Sequence, residues 1–121
     1  MINIRYEKFL NNIQDDIRND RIFTDPLHTL AYGTDASFYR LIPQIVIKAI
    51  NEHEVIQILK YANKDNLPVT FRAAGTSLSG QAISDSILVI CAFGWRDIQI
   101  LNEGKAIKLA PGVIGAEANN A

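Results

Sequence analysis

The sequence has few of the features that mark disulfide-stapled, zinc-binding or nucleic-acid-binding proteins. Cys91 is the only cysteine among 121 residues, which excludes an intramolecular disulfide and gives no support to a cysteine zinc site. Twelve Lys and Arg stand against thirteen Asp and Glu, for a formal net charge of -1. There is therefore no broad basic face for phosphate-backbone contacts. We expect no nucleic-acid partner, and we expect Cys91 to be a small buried apolar side chain.

Long apolar runs are also missing. No stretch approaches the roughly 18 to 20 apolar residues of a membrane span, and the N-terminal residues mix polar with apolar where a signal peptide would be continuously apolar. We therefore predict a cytoplasmic protein, and leave open a peripheral attachment to the inner membrane through a further region. The composition, 48% hydrophobic and 21% charged, is that of a globular domain. The length suits one core but is short for a cofactor domain plus a substrate domain.

The first forty residues are predicted to form a helix and an irregular connection. Residues 4–19 carry apolar side chains near helical spacing and predict an amphipathic helix. Residues 20–43 contain turn formers and no clean periodicity, which indicates an ordered but irregular segment. We accordingly divide the chain into residues 1–40, helix and connection, and residues 41–121, the N-terminal portion of a larger domain.

A strand-helix-strand unit follows. Residues 45–47 are β-branched throughout and predict a strand buried on both faces. Asn51 has the character of an N-cap with Glu54 as its capping-box partner, and a helix over about 52–65 follows. A second strand is predicted at residues 69–71. A crossover of this length normally joins parallel neighbouring strands, so we expect these two strands to be adjacent.

The remaining elements complete an α+β fold. Residues 87–92 predict another buried strand, residues 98–101 and 106–110 a hairpin, and a helix begins near residue 116. The predicted architecture is an N-terminal helix followed by a small sheet with a βαβ unit and a hairpin. The chain is expected to continue beyond residue 121 in the natural protein.

The loop at residues 72–81, RAAGTSLSGQ, carries the strongest chemical signal. Its glycines allow positive φ and close backbone approach, so that successive N–H groups can form an anion-binding nest beside hydroxyl side chains. A phosphate or pyrophosphate suits such a loop. It lacks the Lys-Ser/Thr of a P-loop, and no Gly-x-Gly-x-x-Gly occurs in the chain. From the residues alone, a merely permissive surface loop stays an equal alternative.

A family resemblance bears on that choice. Residues 68–81, PVTFRAAGTSLSGQ, resemble the pyrophosphate loop of flavoproteins with a PCMH-type FAD-binding domain, the vanillyl-alcohol oxidase superfamily. Residues 42–47, 54–59 and 111–113 resemble the strand, the helix start and the Pro-Gly turn of that domain. The resemblance implies FAD as the cofactor. It implies the following cofactor-binding residues: Arg72, Ala73, Ala74, Gly75, Thr76, Ser77, Gly80, Gln81, Pro111 and Gly112.

Within that set the resemblance gives different roles. The stretch from Ala73 to Ser77 would meet the pyrophosphate, and Pro111 and Gly112 the adenine or pyrophosphate side. Gly80 and Gln81 would close the loop near the ribityl or flavin side. Thr76 stands where covalently flavinylated relatives have histidine, so non-covalent FAD is implied.

The sequence leaves open the role of Arg72 and the backbone strain at Ala73 and Ala74. Arg72 either adds positive charge or braces the loop. Alanine at 73 and 74, where many relatives have glycine, would cost about 1 kcal/mol of strain at each position if φ were positive there.

A narrower resemblance concerns the reaction. Residues 30–40 together with 74–81 are similar to the branch of D-lactate dehydrogenases and glycolate-oxidase-like enzymes, including long chains that fuse the FAD module to an iron-sulfur module. This implies oxidation of a D-2-hydroxy acid such as D-lactate or glycolate, with electrons passing to a quinone, a cytochrome or an iron-sulfur protein. The substrate site, the catalytic base and any iron-sulfur cluster would then lie after residue 121. The chain alone is expected to be inactive and to hold flavin weakly; the alternative is a stand-alone phosphate-binding or interaction module.

Other polar and aromatic residues are expected to be structural. His28 and His53 have no His or Cys partner at ligand spacing, so no metal site is predicted. Asp35, Ser37 and Tyr39 are expected to cap and pack the irregular connection, and Trp95 to close the core. No catalytic residue is assigned within the chain.

Overall fold

The structure is a computed structural model that describes residues 3–121. It has a mixed fold of helices and two small sheets, which confirms the predicted α+β class. The helices are α1 (Ile4–Ile13), α2 (Pro26–Ala31), α3 (Glu52–Lys64) and α4 (Gly115–Asn119). The strands are β1 (Ile22–Phe23), β2 (Ile45–Lys48), β3 (Val69–Arg72), β4 (Ile87–Ile90), β5 (Ile98–Leu101) and β6 (Ala106–Leu109), and 3-10 turns occur at Asn19–Arg21 and Asn102–Gly104. None of the helices described is both long and apolar enough to cross a membrane.

The main sheet has the strand order β1-β2-β4-β3. β2 and β3 both run parallel to β4, so the predicted parallel orientation is confirmed. Their predicted adjacency is wrong, because β4 lies between them. The burial of the strands explains the order: all four residues of β4 are buried, whereas Phe71 in β3 is 45% exposed. The strand that is apolar throughout therefore takes the place that is covered on both faces.

Two apolar clusters cover the two faces of this sheet. On one face α1 and α3 pack through Phe9, Ile13 and Ile58 against the odd-numbered residues of β2 and β4. This cluster includes Cys91, which is 7% exposed and confirms the expectation of a small buried side chain. On the other face the buried residues are Val46, Leu88 and Ile90, with Phe23, Tyr32 and Ala92 packed around them.

The N-terminal segment differs from its prediction in two ways. α1 ends at Ile13, not near residue 19, and the chain turns so that Ile17 is buried. Asp15 and Asp16 follow the C-cap residue Gln14, and acidic side chains are unfavourable at the negative end of a helix dipole.

The connection after residue 20 also contains regular structure. It holds β1, which is too short to show a periodicity, and α2. The carboxylate of Asp25 caps α2 by accepting the N–H of His28 at 3.1 Å, and Pro26 occupies the first turn. Asp25 and Pro26 are among the turn formers of this segment, and Asp followed by Pro is also a helix-start signal.

A buried ion pair joins this connection to the strand-helix-strand unit. Asn51 is the N-cap of α3, as predicted, and accepts the N–H of Glu54 at 2.9 Å. The Glu54 carboxylate does not complete a capping box with Asn51. It accepts the N–H of Ile50 at 2.9 Å and two hydrogen bonds from Arg21, at 2.7 and 2.6 Å, while Arg21 also donates to the Lys48 carbonyl at 2.9 Å. The ion pair thus ties the residues before β1 to the end of β2.

The predicted hairpin forms a separate two-stranded sheet, β5-β6. Trp95 precedes it, packs against the core and donates its indole N–H to the Ala49 carbonyl at 2.8 Å. Trp95 therefore closes the core as expected.

Candidate functional site

The carboxyl ends of the three parallel strands meet at one edge of the sheet. Lys48, Ile90 and Arg72 are the last residues of β2, β4 and β3, and they lie in register. The chain after β3, the chain after β4 and the turn after β6 enclose an open groove of about 330 Å³. We call it the loop groove; it is lined by Ala73, Ala74, Ala92, Phe93, Arg96, Pro111, Gly112, Val113 and Ile114.

The loop groove brings together two parts of the predicted site that are far apart in sequence. Ala73 and Ala74 form one wall, and Pro111 and Gly112 form another. The other predicted residues, from Gly75 to Gln81, do not line the groove; they follow Ala74 in the loop. The lining is largely apolar, as suits a planar ring, and Arg96 is its charged residue.

Unpaired backbone donors run along the start of the loop. The N–H groups of residues 73–78 have no acceptor among residues 3–121. Gly75 and Gly80 have φ of 72° and 73°, so both adopt the left-handed conformation that glycine tolerates best. Successive free N–H groups next to a left-handed residue are the donor set of an anion-binding nest. These residues therefore fit the diphosphate of a dinucleotide.

The two alanines of the loop are not strained. Positive φ among the non-glycine residues of the described chain occurs at Asn66, Asn102 and Glu103 only. Ala73 and Ala74 therefore adopt conformations open to alanine, and the strain considered from the sequence does not arise.

Hydroxyl and amide side chains close the far end of the loop. The Ser77 hydroxyl accepts the N–H groups of Ser79 at 3.3 Å and Gln81 at 3.2 Å, and it donates to the side-chain amide oxygen Oε1 of Gln81 at 3.2 Å. Gly80 packs against the ring of Tyr39, where an added Cβ would stand 2.9 Å from a ring carbon. Thr76 is exposed. The Ser77 and Gln81 side chains thus hold the loop's shape.

Arg72 lies under the loop. Its guanidinium is buried and donates to the Ala82 carbonyl at 2.8 Å and to the Tyr32 carbonyl at 3.1 Å. Burial lowers the pKa of this guanidinium below its ordinary value. Arg72 therefore joins the two ends of the loop to the segment after α2. A contact with bound cofactor stays a prediction.

The segment at residues 33–40 supports the loop from outside. Asp35 accepts the N–H of Ser37 at 2.8 Å and that of Ala82 at 3.4 Å, and the Ser37 side chain does more than these backbone groups to lower the pKa of its carboxyl group. The N–H of Ala36 donates to the Gly75 carbonyl at 3.1 Å. Asp35 and Ser37 therefore have the capping role that the sequence predicted.

Gly112 allows the turn after β6 to approach the end of β4. Its N–H donates to the Trp95 carbonyl at 2.9 Å. A Cβ at this position would stand 2.6 Å from the Trp95 carbonyl oxygen and closer still to that of Ala92. The wall of the loop groove therefore depends on the absence of a side chain at residue 112.

Phe93 and Arg96 are groove residues that we did not predict. Arg96 donates to the Gly112 carbonyl at 3.4 Å and forms an ion pair with Glu117. Phe93 is 61% exposed, and the Lys48 ammonium lies 5.2 Å from its ring centroid. A sequence signal existed, because both follow β4, and the carboxyl ends of parallel strands share one edge of a sheet.

The histidines lie away from the groove lining. His28 Nδ1 is 2.8 Å from the Asp25 carboxylate, and its ring stacks on Phe23 with centroids 4.5 Å apart. His53 is exposed at the start of α3. Within residues 3–121 no group of three His, Cys, Asp or Glu side chains is placed to hold a metal ion.

Comparison with known proteins agrees with this geometry. Residues 43–121 match the family described as FAD binding domain. The chain is 26% identical over 115 residues to D-2-hydroxyglutarate dehydrogenase of Haemophilus influenzae, covering 92% of this chain and 11% of that protein. It is 49% identical over 39 residues to D-lactate dehydrogenase of Archaeoglobus fulgidus, covering 32% of this chain and 9% of that protein. The chain thus spans about a tenth of the length of these relatives.

Solved structures share the fold. Substrate-bound p-cresol methylhydroxylase superimposes with a TM-score of 0.73 at 14% identity, covering 99% of this chain and 25% of that one. Alkyldihydroxyacetonephosphate synthase gives a TM-score of 0.71 at 15% identity, covering 93% and 24%. Both fit the vanillyl-alcohol oxidase fold that the sequence resembles. The chain belongs to the FAD binding domain family, of PCMH type.

Proposed function

We propose that this chain holds the diphosphate of non-covalently bound FAD in a dehydrogenase that oxidises a D-2-hydroxy acid. The observation that carries the cofactor part is the row of free N–H groups at residues 73–78, set beside an apolar groove. The substrate part is supported by two relatives, which are named as dehydrogenases of D-lactate and of D-2-hydroxyglutarate.

Each predicted residue has a place in this proposal. The backbone from Ala73 to Ser77 donates to the diphosphate, while Ser77, Gly80 and Gln81 keep the loop folded and close it near the ribityl or flavin side. Pro111 and Gly112 line the adenine or pyrophosphate side of the groove. Arg72 braces the loop from below. Thr76 has no nitrogen nucleophile to bond a flavin, which supports non-covalent binding.

The chain's part in the reaction is binding and orientation. FAD, when bound, would supply the two-electron acceptor that oxidation of a hydroxy acid requires. The groove lining contains no carboxylate or imidazole to take the hydroxyl proton. We therefore place the catalytic base and the substrate site in another part of the complete protein. The electron acceptor of the complete protein would be a quinone, a cytochrome or an iron-sulfur protein.

A titration followed by amide NMR tests the cofactor part. Addition of FAD or ADP to the 15N-labelled chain is expected to shift the amide signals of residues 73–78, because those N–H groups acquire phosphate acceptors. Adenosine, which lacks phosphate, is expected to shift them much less. Unmoved signals at millimolar FAD would refute the proposal. Equal affinity for inorganic pyrophosphate and FAD would favour the stand-alone phosphate-binding module instead.

Two glycine variants provide a matched comparison. Gly75 has φ of 72° within the loop, and Gly104 has φ of 87° at the remote hairpin turn, with nothing within 4 Å of an added Cβ. Each alanine substitution should cost about 1 kcal/mol of backbone strain. Only Gly75→Ala is expected to weaken FAD and ADP binding. Equal effects of the two variants on binding would count against the loop as the site.

The substrate part needs the complete flavoprotein. Anaerobic addition of D-lactate or D-2-hydroxyglutarate is expected to bleach the oxidised flavin absorbance, and the L enantiomers are expected to leave it unchanged. Bleaching by neither D acid nor glycolate would refute the substrate class while leaving FAD binding intact.

A further inference from the structure

Arg96 is the one charged residue in the lining of the loop groove, and it stands at the rim. The other lining residues are alanine, phenylalanine, proline, glycine, valine and isoleucine. Its guanidinium reaches the Gly112 carbonyl at 3.4 Å and pairs with the Glu117 carboxylate. The Arg96 side chain is 54% exposed, so it has room to turn toward the groove.

Glu117 is held in place independently of Arg96. Its second carboxylate oxygen accepts the N–H of Ile114 at 3.0 Å, which caps the start of α4. The carboxylate is thus a fixed anion next to a movable cation. Exposed ion pairs contribute little free energy, because water solvates both partners well. Arg96 can therefore exchange the Glu117 carboxylate for the anion of a ligand at little cost in free energy.

We propose that Arg96 binds the cofactor diphosphate and that Glu117 holds Arg96 at the groove rim until the ligand replaces it. This inference rests on the proposed function and adds a charged residue and a competing carboxylate to that site. A guanidinium donates in parallel to two oxygens of a phosphate, which suits it to a diphosphate better than to a single carboxylate. The free N–H groups of Ala73 and Ala74, which also line the groove, begin the row of backbone donors that continues through the loop to residue 78.

A structural brace would behave differently. If the pair only anchored α4, removal of either charge would loosen the groove, and both variants would bind ligand more weakly. If Glu117 competes with the ligand, the two variants change affinity in opposite directions. Glu117→Gln suits this comparison because its amide oxygen can still accept the Ile114 N–H.

The experiment is an ADP titration of the wild-type chain and three variants, read from the amide signals of residues 73–78. Arg96→Gln is expected to weaken ADP binding about threefold to tenfold, the loss of one or two charge-assisted hydrogen bonds in a half-exposed site. Glu117→Gln is expected to strengthen it about twofold. Arg18→Gln is the control, because this substitution removes the same charge outside the groove lining. Arg18 forms an exposed ion pair with Asp20. This variant should bind as the wild type does, and far-ultraviolet circular dichroism should show all four chains folded.

The outcomes separate the two proposals. If the wild type binds ADP and Arg96→Gln binds it as tightly as Arg18→Gln does, the role of Arg96 is overturned and the proposed function stands. Weakening by both Arg96→Gln and Glu117→Gln overturns the competition and favours a brace. Failure of the wild-type chain to bind ADP and FAD overturns the proposed function and this inference together.

Discussion

The buried pair of Arg21 and Glu54 gives a stability prediction that can be worked out from its contacts. The exposed fractions of the two side chains are 18% and 6%. The Glu54 carboxylate accepts two hydrogen bonds from Arg21 and one from the Ile50 N–H. Glu54→Gln replaces one of these oxygens by an NH2 group, which faces a donor and cannot accept.

The magnitude follows from two losses. One charge-assisted hydrogen bond to a charged group is worth about 1.5–3 kcal/mol. Arg21 also keeps its charge in a poorly solvated place without a counter-ion, and breaking a buried pair costs about 3–5 kcal/mol when both groups are fully enclosed. Because Arg21 retains some contact with water, we expect Glu54→Gln to lower the free energy of unfolding by about 3 kcal/mol.

Urea unfolding of the chain, followed by circular dichroism, measures this loss. Asp20→Asn is the matched control, since it breaks the exposed pair of Arg18 and Asp20, whose side chains are 79% and 60% exposed. That control should cost no more than about 0.5 kcal/mol. If Glu54→Gln lowers the free energy of unfolding by less than about 1 kcal/mol, or by no more than Asp20→Asn, the pair does not stabilise the link between the residues before β1 and the end of β2.

The same pair predicts a pH dependence. Burial acts to raise the pKa of Glu54, but the hydrogen bonds from Arg21 and from the Ile50 N–H outweigh it and leave the pKa below its ordinary value of 4.5. A carboxyl group with a lowered folded pKa contributes stability above its unfolded pKa and loses it as the pH falls through the folded value. The wild-type chain should therefore lose its advantage over Glu54→Gln as the pH is lowered from 4.5. A difference that stays constant down to acid unfolding would contradict this assignment.

Three further changes test the loop and the core. Gly112→Ala should destabilise the chain by about 1–3 kcal/mol in urea unfolding, because its Cβ would press on backbone carbonyls. Ser77→Ala should cost less than about 1 kcal/mol in the same assay but weaken ADP binding, since its hydroxyl holds two loop N–H groups. Cys91, whose pKa is raised by burial, should react with a thiol reagent much more slowly in the folded chain than in urea.

Neighbouring positions supply the controls. Gly115→Ala meets nothing within 4 Å and lies in α4, so it should be neutral or slightly stabilising. Ser79→Ala removes an exposed hydroxyl two residues from Ser77 and should leave ADP binding unchanged. A Cys91 that reacts equally fast with and without urea would show that its side chain is not enclosed.

The sequence predicted those elements whose formation depends on local pattern. The bounds of α3 were anticipated within one residue because Asn51 caps it and its apolar spacing is regular. The order of the strands was not predicted, because the pattern of apolar and polar residues along a chain does not say which strands pair. The pair of Arg21 and Glu54 joins residues 33 positions apart and left no local signal.

The candidate site was predicted only in part, because contacts between residues far apart in sequence leave no local signal. The family resemblance pointed to both the loop after β3 and Pro111, and the structure brings Ala73 and Pro111 to one groove. Arg96 was missed because its one sequence signal, a position shortly after a predicted strand, does not say which strand lies beside β3. Its place became visible only when β4 was found beside β3.

The central position of β4 has a consequence for how the chain acquires its structure. Residues 45–72 contain two strands that do not pair with each other, so β3 has no partner strand, and β2 is paired only with the short β1, until residues 87–90 are inserted between β2 and β3. The parallel part of the sheet therefore cannot form in order along the chain as synthesis proceeds. During translation, β2 and β3 must wait with unpaired edges until β4 has emerged, and this interval is the one in which association with other chains competes with folding.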